Sequence, residues 1–240
     1  MTRHQAELIV VVVPVRDEEL LLEASLSALT IAVDTASEAG IRTEVRIVLD
    51  RCTDASAQIA SRFAFPLLSL DAGRVGAARA LGVSDALTAR DGTLPDRIWI
   101  ANTDADSRVP AAWLTSFIGI SRVADVCLGT VRPDFGDLSP AQRELWLRTH
   151  FPGRPNGNVH GANLGLSART YLAVGGFARL GEHEDVDLVA RCRNQGAVIV
   201  ASDEAEVITS GRRAGRTPGG YAGFLMRQAA NLAADSPHQP

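Results

Sequence analysis

The sequence contains no lysine, so all 24 of its basic residues are arginines. This absence excludes a Schiff-base lysine, a P-loop lysine and a lysine general base. The 28 acidic residues leave a formal net charge of -4. A nucleic-acid-binding protein usually carries a basic excess, so the charge argues against that class of function.

Cysteine is also scarce, with only Cys52, Cys127 and Cys192, which show neither zinc-site nor C-x-x-C spacing. An odd number of distant cysteines argues against a disulfide framework and indicates a reducing compartment. The apolar run over residues 8–15 is far shorter than the ~18 residues that span a bilayer, and no signal-peptide pattern surrounds it. We expect a cytoplasmic protein, with peripheral attachment to the inner membrane face as the alternative.

The first half of the chain alternates between β-type and helical patterns, which predicts a doubly wound, mostly parallel sheet with helices on both faces. Its continuous apolar strands are typical of a sheet covered on both sides. In such a sheet, ligands bind at the carboxyl ends of the strands. The predicted strands are 8–15, 45–49, 65–70 and 97–101, and the predicted helices are 17–29, 53–63, 76–89 and 110–120.

The second half is less regular, but it shows no composition break and no internal repeat, so we expect one α/β domain over residues 1–240. Apolar content of 46% over this length is enough to bury a substantial core. The predicted strands here are 126–131, 165–167 and 197–201, and the predicted helices are 140–148, 168–174, 185–194 and 218–234.

Two clusters of acidic residues stand out. Asp104 and Asp106 follow a predicted strand, where they could share Mg²⁺ or Mn²⁺ with substrate phosphates, or simply form a surface turn that caps a helix. Glu184 and Asp185 lie in an acidic stretch that precedes a helix. This second cluster could deprotonate a hydroxyl group, or it could be a solvated first helical turn.

His160 precedes a stretch of small residues and is a candidate metal ligand or substrate contact, although a lone histidine is more often structural. Several arginines are candidates for pairing with diphosphate oxygens, because a guanidinium matches phosphate geometry. These are Arg74, Arg79, Arg212, Arg213 and Arg216.

Five segments, in this order, resemble the family 2 glycosyltransferases of the GT-A fold. Each motif is weak alone, whereas the five together cover about residues 7–224 of the chain. The segments are 13–18 (VPVRDE), 48–54 (VLDRCTD), 104–106 (DAD), 161–163 with 175–177 (GAN and GGF) and 184–188 (EDVDL).

The resemblance implies a UDP- or GDP-linked sugar donor, Mn²⁺ or Mg²⁺, and a hydroxyl acceptor that is either lipid-linked or a small metabolite. It implies that residues 7–120 bind the nucleotide sugar and that residues 121–240 bind the acceptor. The implied donor contacts are Pro14, Arg16, Glu18, Asp50, Arg79 and Asp104. The implied metal ligands are Asp106, Asp104 and His160, and the implied catalytic acids are Asp185, as general base, and Glu184.

The sequence departs from the family pattern at several places. Arg16 replaces a common asparagine, and Arg51-Cys52 replaces the Gly-Ser that usually follows the acid at Asp50. No Q-x-x-R-W motif is present, which argues against a processive polysaccharide synthase. The resemblance favours inversion at the anomeric carbon, while the family also has relatives that retain configuration.

Two other functions remain open at this point. A nucleotidylyltransferase on a similar fold is the first, and the lack of a glycine-rich basic loop after the first strand counts against it. A catalytically silent nucleotide-binding scaffold is the second. The presence of both acidic motifs, at Asp104 to Asp106 and at Glu184 to Asp185, counts against that function because a silent protein needs neither.

Overall fold

A computed structural model describes residues 5–89, 92–212, 215 and 219–234. Among these residues, no helix is both long and apolar enough to cross a membrane. The strands are β1 Leu8–Val15, β2 Arg42–Asp50, β3 Leu67–Leu70, β4 Ile98–Asn102, β5 Ser107–Arg108, β6 Val126–Pro133, β7 Leu164–Ser167 and β8 Ile199–Thr209. The helices are α1 Leu22–Glu38, α2 Ser56–Ala60, α3 Val75–Ala89, α4 Trp113–Ser121, α5 Pro140–Thr149, α6 Ala168–Ala173, α7 Glu184–Asn194 and α8 Tyr221–Ala234.

The strands form one eight-stranded sheet in the order β3-β2-β1-β4-β7-β6-β8-β5. Strands β3, β2, β1 and β4 are parallel, and β6 is parallel to β8. Strand β7 runs antiparallel to both of its neighbours, and β5 runs antiparallel to β8. The predicted α/β fold with a mostly parallel sheet is confirmed, and the loops after β1, β2 and β4 meet at one edge.

The continuous apolar run of β1 is explained by burial on both faces of the sheet. Ile9 and Val11 pack into one core layer with Leu26 of α1, whereas Val10 and Val12 pack into a second layer with Val83 of α3. Successive strand residues point to opposite faces, so an unbroken apolar sequence supplies both layers at once.

The prediction that a helix begins at Asp17 is wrong. Helix α1 begins at Leu22, because Asp17 takes a left-handed conformation (φ 46°) and its carboxylate accepts hydrogen bonds from Thr53. The predicted start of α4 at Pro110 is also wrong, since that helix begins at Trp113. Removing residues 17–19 from the helix leaves Glu18 in a turn at the edge of the sheet.

Strand β8 is longer than the predicted segment 197–201, because three acidic residues, Asp203, Glu204 and Glu206, interrupt the apolar pattern there. Its first part pairs with β6, and its last residues pair with both β6 and β5. A register shift between Gly129 and Val131 accommodates the irregular middle. This strand delivers Thr209 and the following loop to the same sheet edge as β4.

Asn163 has a structural part in the fold. Its buried side-chain amide donates to the carbonyls of Thr130 and Ala205, each at 2.9 Å, and its carbonyl oxygen accepts from Nε1 of Trp113 at 2.9 Å. A Cβ on Gly129 would lie 2.2 Å from this side chain. The amide therefore joins β6, β8 and α4.

We expect Asn163→Ala to lower the free energy of unfolding by about 3 kcal/mol, because it leaves three buried polar groups without their partner. Urea denaturation would measure the change. Asn158→Ala, at an exposed asparagine in the preceding loop, is the matched control and should stay within about 0.5 kcal/mol of the wild type. Equal stability of the two variants would contradict the structural role of Asn163.

Candidate active site

Arg79 joins the two acidic motifs of the sequence. It lies on α3 and is almost fully buried, at 1% exposure. Its Nη2 is 2.5 Å from Oδ1 of Asp104, and its Nε is 3.1 Å from Oε1 of Glu184. A single guanidinium therefore brings the acid that follows β4 together with the acid that begins α7.

Small residues make room for this arrangement. A Cβ on Gly161 would lie 2.5 Å from Nη2 of Arg79, and a Cβ on Gly76 would lie 2.2 Å from the carbonyl oxygen of Ala178. Neither position could carry a side chain without moving the backbone or Arg79. The glycines thus allow α3, the 161–163 segment and the loop before α7 to approach closely.

The Gly175-Gly176-Phe177 motif packs an aromatic ring near the guanidinium of Arg79. Both glycines have positive φ angles, of 80° and 71°, which a residue with a side chain rarely adopts. The turn places the Phe177 ring 5.9 Å from the guanidinium carbon of Arg79. The motif therefore shapes the pocket of the buried arginine.

Burial and the neighbouring charges have opposite effects on the pKa values of Arg79 and Glu184. Burial opposes its charged form, but Asp104 and Glu184 raise the pKa of Arg79, so it stays protonated. Burial raises the pKa of Glu184, and Asp185 adds to that effect, while Arg79 acts in the opposite direction. The ion pair with Arg79 therefore favours the charged form of the buried Glu184.

Asp185 differs from its neighbour Glu184 because it is half-exposed. Its Oδ2 accepts a hydrogen bond from the backbone N–H of Gly161 at 2.7 Å, and its Oδ1 accepts from the N–H of Val186 at 2.8 Å. Both contacts orient the carboxylate through uncharged backbone donors. Of the two predicted catalytic acids, Asp185 is the more exposed, and its role as the general base stays a prediction.

Asp106 lies in a second polar cluster beside the first. The hydroxyl of Ser107 donates to its Oδ1 at 3.3 Å, and the hydroxyl of Thr209 lies 3.4 Å from the same oxygen. Burial and the nearby Asp104 raise the pKa of Asp106 to about 6, while Arg212 opposes the shift. Pairing of Ser107 with Thr209 in the sheet holds this cluster together.

Arg212 bridges Asp106 and Glu18. Its two terminal nitrogens donate to both oxygens of Glu18, at 2.7 and 2.8 Å, and its Nη2 is also 3.0 Å from Oδ2 of Asp106. In the structure, the carboxylate of Glu18 accepts hydrogen bonds from Arg212. The predicted contact of Glu18 with the donor stays a prediction. Arg213 and Arg216, also predicted for the diphosphate, lie outside the described residues.

The carboxylates fit a divalent cation only in part. Among the residues that the structure describes, no three His, Cys, Asp or Glu side chains are grouped so that they could hold a metal by themselves. Asp104 and Asp106 do offer hard oxygen donors, and Mg²⁺ commonly uses one or two carboxylates together with substrate phosphates. The donor set thus suits a cation that binds with a phosphate ligand.

His160 lies on the Asp185 side of the site. Its ring packs edge-on against Tyr221 of α8, with 5.7 Å between the ring centres. Burial lowers the pKa of His160, an effect that Asp185 and Asp104 partly oppose. Its role as a metal ligand stays a prediction.

At the other end of the crevice, Asp50 supports a loop. Its carboxylate accepts hydrogen bonds from the backbone N–H groups of Ala72, Gly73 and Arg74, at 2.8 to 2.9 Å. Arg16 donates to the carbonyl of Gly73 at 3.2 Å. Both residues therefore stabilise the 72–74 segment before α3, and their contact with a nucleobase or ribose stays a prediction.

Pro14 lies near the end of β1, opposite Val48 of β2, and is half-buried. The loops that follow these two strands are joined by hydrogen bonds. The N–H of Glu18 donates to the hydroxyl of Ser56 at 2.8 Å, and Glu19 exchanges hydrogen bonds with the 54–55 segment. These contacts fix the wall of the crevice that carries Glu18.

We expect Asp50→Ala to lower the free energy of unfolding by about 2 kcal/mol, because three backbone donors lose a charged acceptor. If Asp50 also contacts the donor, nucleotide binding should weaken equally with and without Mn²⁺. Asp71→Ala is the control, because its exposed carboxylate pairs with the exposed Arg51 at the surface. A binding loss seen only with Mn²⁺ present would reassign Asp50 to the metal.

Sequence reasoning missed part of the site. Asn102 ends β4, lies 3.5 Å from Nη1 of Arg79 through its Oδ1, and donates to the carbonyl of Leu164 at 3.2 Å. Thr209 reaches Asp106 from the far end of the chain. No local motif marks Thr209. Asn102 lies two residues before Asp104, at the end of a predicted strand, and this position could have identified it as a site residue.

No protein-family model and no curated protein sequence matches this chain. Solved structures do match. The mannosyltransferase PcManGT from Pyrobaculum calidifontis, in complex with GDP-Man and Mn²⁺, superposes with a TM-score of 0.63 at 16% identity, over 99% of this chain and 67% of that one. The glucosyl-3-phosphoglycerate synthase from Mycobacterium tuberculosis, with Mn²⁺, UDP and phosphoglyceric acid, gives 0.57 at 14%, over 95% and 78%.

TarS of S. aureus matches with a TM-score of 0.62 at 15% identity, over 96% of this chain. The present chain spans only 40% of the length of that TarS chain. At identities this low, the structural superpositions establish a shared fold and nothing further. The superpositions therefore give this chain the GT-A fold of solved glycosyltransferases, as its motifs predicted.

Proposed function

We propose that this protein is a glycosyltransferase that moves a sugar from a nucleotide-sugar donor to an acceptor hydroxyl. The observation that carries the proposal is the bridge from Asp104 through Arg79 to Glu184. The bridge links the D-x-D motif, which resembles the donor-binding motif of the family, to Glu184. The next residue in the sequence is Asp185, which resembles the family's general base. The order of the motifs favours family 2.

The donor class is supported by similar structures, of which one was solved with GDP-Man and another with UDP. In this proposal, residues 7–120 bind the nucleotide sugar and residues 121–240 bind the acceptor. Asp104 lies on the first of these halves and Asp185 on the second. The reacting atoms would then meet between β4 and the beginning of α7.

The reaction we propose is a single displacement with inversion. The acceptor oxygen attacks the anomeric carbon while the bond from that carbon to the diphosphate oxygen breaks. Asp185 takes the proton of the acceptor hydroxyl, and the nucleoside diphosphate leaves with the bonding electrons. The backbone N–H of Gly161 holds the Asp185 carboxylate toward the crevice.

Negative charge grows on the leaving diphosphate, and the chain offers Arg212 near that position. Asp106 and Asp104 are the residues that would hold Mn²⁺ or Mg²⁺. When bound, such a cation supplies positive charge to the diphosphate oxygens. Two of the similar structures were solved with Mn²⁺, which supports the same requirement here.

A sugar-nucleotide panel tests the proposal. The purified protein is incubated with UDP- and GDP-linked sugars, with Mn²⁺ or with EDTA, while melting temperature and release of nucleoside diphosphate are followed. A true donor at ~100 times its dissociation constant should add about 2.7 kcal/mol of stability. Stabilisation without release of nucleoside diphosphate would instead identify a nucleotide-binding scaffold, and release of pyrophosphate from a sugar phosphate and a nucleoside triphosphate would identify a nucleotidylyltransferase.

A further inference from the structure

The guanidinium of Arg212 lies between the carboxylates of Glu18 and Asp106, and Asp106 is also a predicted metal ligand. Its Nη2 lies 2.7 Å from Oε1 of Glu18 and 3.0 Å from Oδ2 of Asp106. A cation that binds Oδ2 of Asp106 must therefore take an oxygen that already has a charged partner. The sequence predicts only one role for Arg212, which is pairing with diphosphate oxygens.

Burial strengthens the attraction between Arg212 and its two carboxylate partners. The side chains of Glu18 and Asp106 are only 7% and 15% exposed, so water and salt screen their charges less than they would at the surface. Asp104 adds a further negative charge nearby, and its own partner is Arg79. The pocket needs a cation beside Asp106, and Arg212 is that cation in the structure.

We propose that Arg212 is the resident counter-ion of Asp106, which weakens metal binding until a diphosphate accepts its guanidinium. The competition between Arg212 and the metal is independent of the substrate. The diphosphate step rests on the proposed function. Arg212 would thus couple the binding of metal and nucleotide, so that the two enter the site together.

The geometry leaves Arg212 able to change partners. A guanidinium has five N–H donors in a planar fork that also matches phosphate oxygens. The side chain is 34% exposed, whereas its carboxylate partners are mostly buried. A diphosphate arriving from solvent can therefore reach the guanidinium while Glu18 still holds its other edge. Release of Asp106 then opens its oxygens to a cation.

Titration of Mn²⁺ alone tests the competition, with free Mn²⁺ followed by its electron paramagnetic resonance signal. We expect Arg212→Gln to bind Mn²⁺ about tenfold more tightly than the wild type, a coupling of ordinary size for two competing sites. Arg108→Gln is the matched control. It removes the same charge from β5, but its guanidinium pairs with Asp134 at 2.6 Å and leaves the Arg212 contacts in place.

An unchanged Mn²⁺ affinity in Arg212→Gln, or an equal gain in Arg108→Gln, would overturn the proposal. Arg212→Lys keeps the charge and should stay closer to the wild type than Arg212→Gln does, which gives a second variant if the first folds poorly. Equal Mn²⁺ affinities of the lysine and glutamine variants would also contradict it.

The nucleotide step is tested by repeating the titrations with UDP and with GDP. In the wild type, the nucleotide should tighten Mn²⁺ binding by a larger factor than in Arg212→Gln, because only the wild type has a guanidinium to release. Equal factors overturn this step. If neither nucleotide binds under any condition, the proposed donor class fails, and the Mn²⁺-only comparison still decides whether Arg212 competes with the metal.

Discussion

Asp185→Asn should lower the rate of sugar transfer by about 100- to 10,000-fold, the usual contribution of a general base. An amide cannot take the proton of the acceptor hydroxyl, although it keeps the shape of the carboxylate and can still accept from Gly161. Donor affinity should change little, because the side chain acts on the acceptor. Transfer rate and donor affinity, measured separately, check both parts.

Asp187→Asn is the matched control for this variant. Asp187 lies two positions further along α7, on another face of the helix, and pairs with Arg191 at 2.7 Å. The same chemical change there should leave transfer near the wild-type rate. Glu184→Gln, compared beside them, decides between the two acids. Near-full transfer in Asp185→Asn with a loss in Glu184→Gln would reverse their roles, and full transfer in both would indicate a retaining reaction or another base.

Arg79→Met should lower the free energy of unfolding by about 4 kcal/mol, because breaking a buried ion pair leaves an uncompensated charge in the protein interior. The charge left behind is chiefly that of Glu184, which is only 4% exposed. Methionine fills much of the same volume, so the loss would report the missing charge rather than a cavity. Denaturant unfolding measures it.

Arg46→Met provides the comparison. Arg46 is also buried, but its partners Asp85 and Glu44 are 40% and 28% exposed at the side chain, so water can solvate them when the arginine is gone. We expect a loss of about 1 kcal/mol there. Adding Glu184→Gln to Arg79→Met should restore part of the stability. An equal loss in the two arginine variants would mean that Arg79 contributes only packing.

Arg79 is a predicted donor contact, and its burial bears on that prediction. As a donor contact it would need to face the crevice, yet the structure commits it to Asp104 and Glu184 beneath the crevice surface. Direct pairing with a diphosphate stays a prediction for Arg79. Its contacts with Asp104 and Glu184 favour a positioning role, in which it holds the two acid-bearing loops together.

The sequence by itself determined the elements whose signal is local. The apolar runs of β1 and β4 predict buried parallel strands, because a strand covered on both faces must be apolar at every position. The Ala- and Leu-rich composition of residues 76–89 predicts α3 nearly to its ends, and the predicted helix 185–194 matches α7 to within one residue. The acids at residues 104–106 and 184–185 were recognisable because they directly follow or precede such elements.

Only the tertiary structure decided which charges pair. The partners of Arg79 and Arg212 come from segments far apart in the chain, and a guanidinium has no sequence pattern that selects one carboxylate among 28 acidic residues. The first turn of α1 was misplaced for a related reason, since the Asp17 carboxylate accepts a hydrogen bond from Thr53 in the loop after β2 instead of from its own helix. Periodicity depends on neighbours along the chain, whereas ion pairs depend on distance in space, and the folded sheet alone sets that distance.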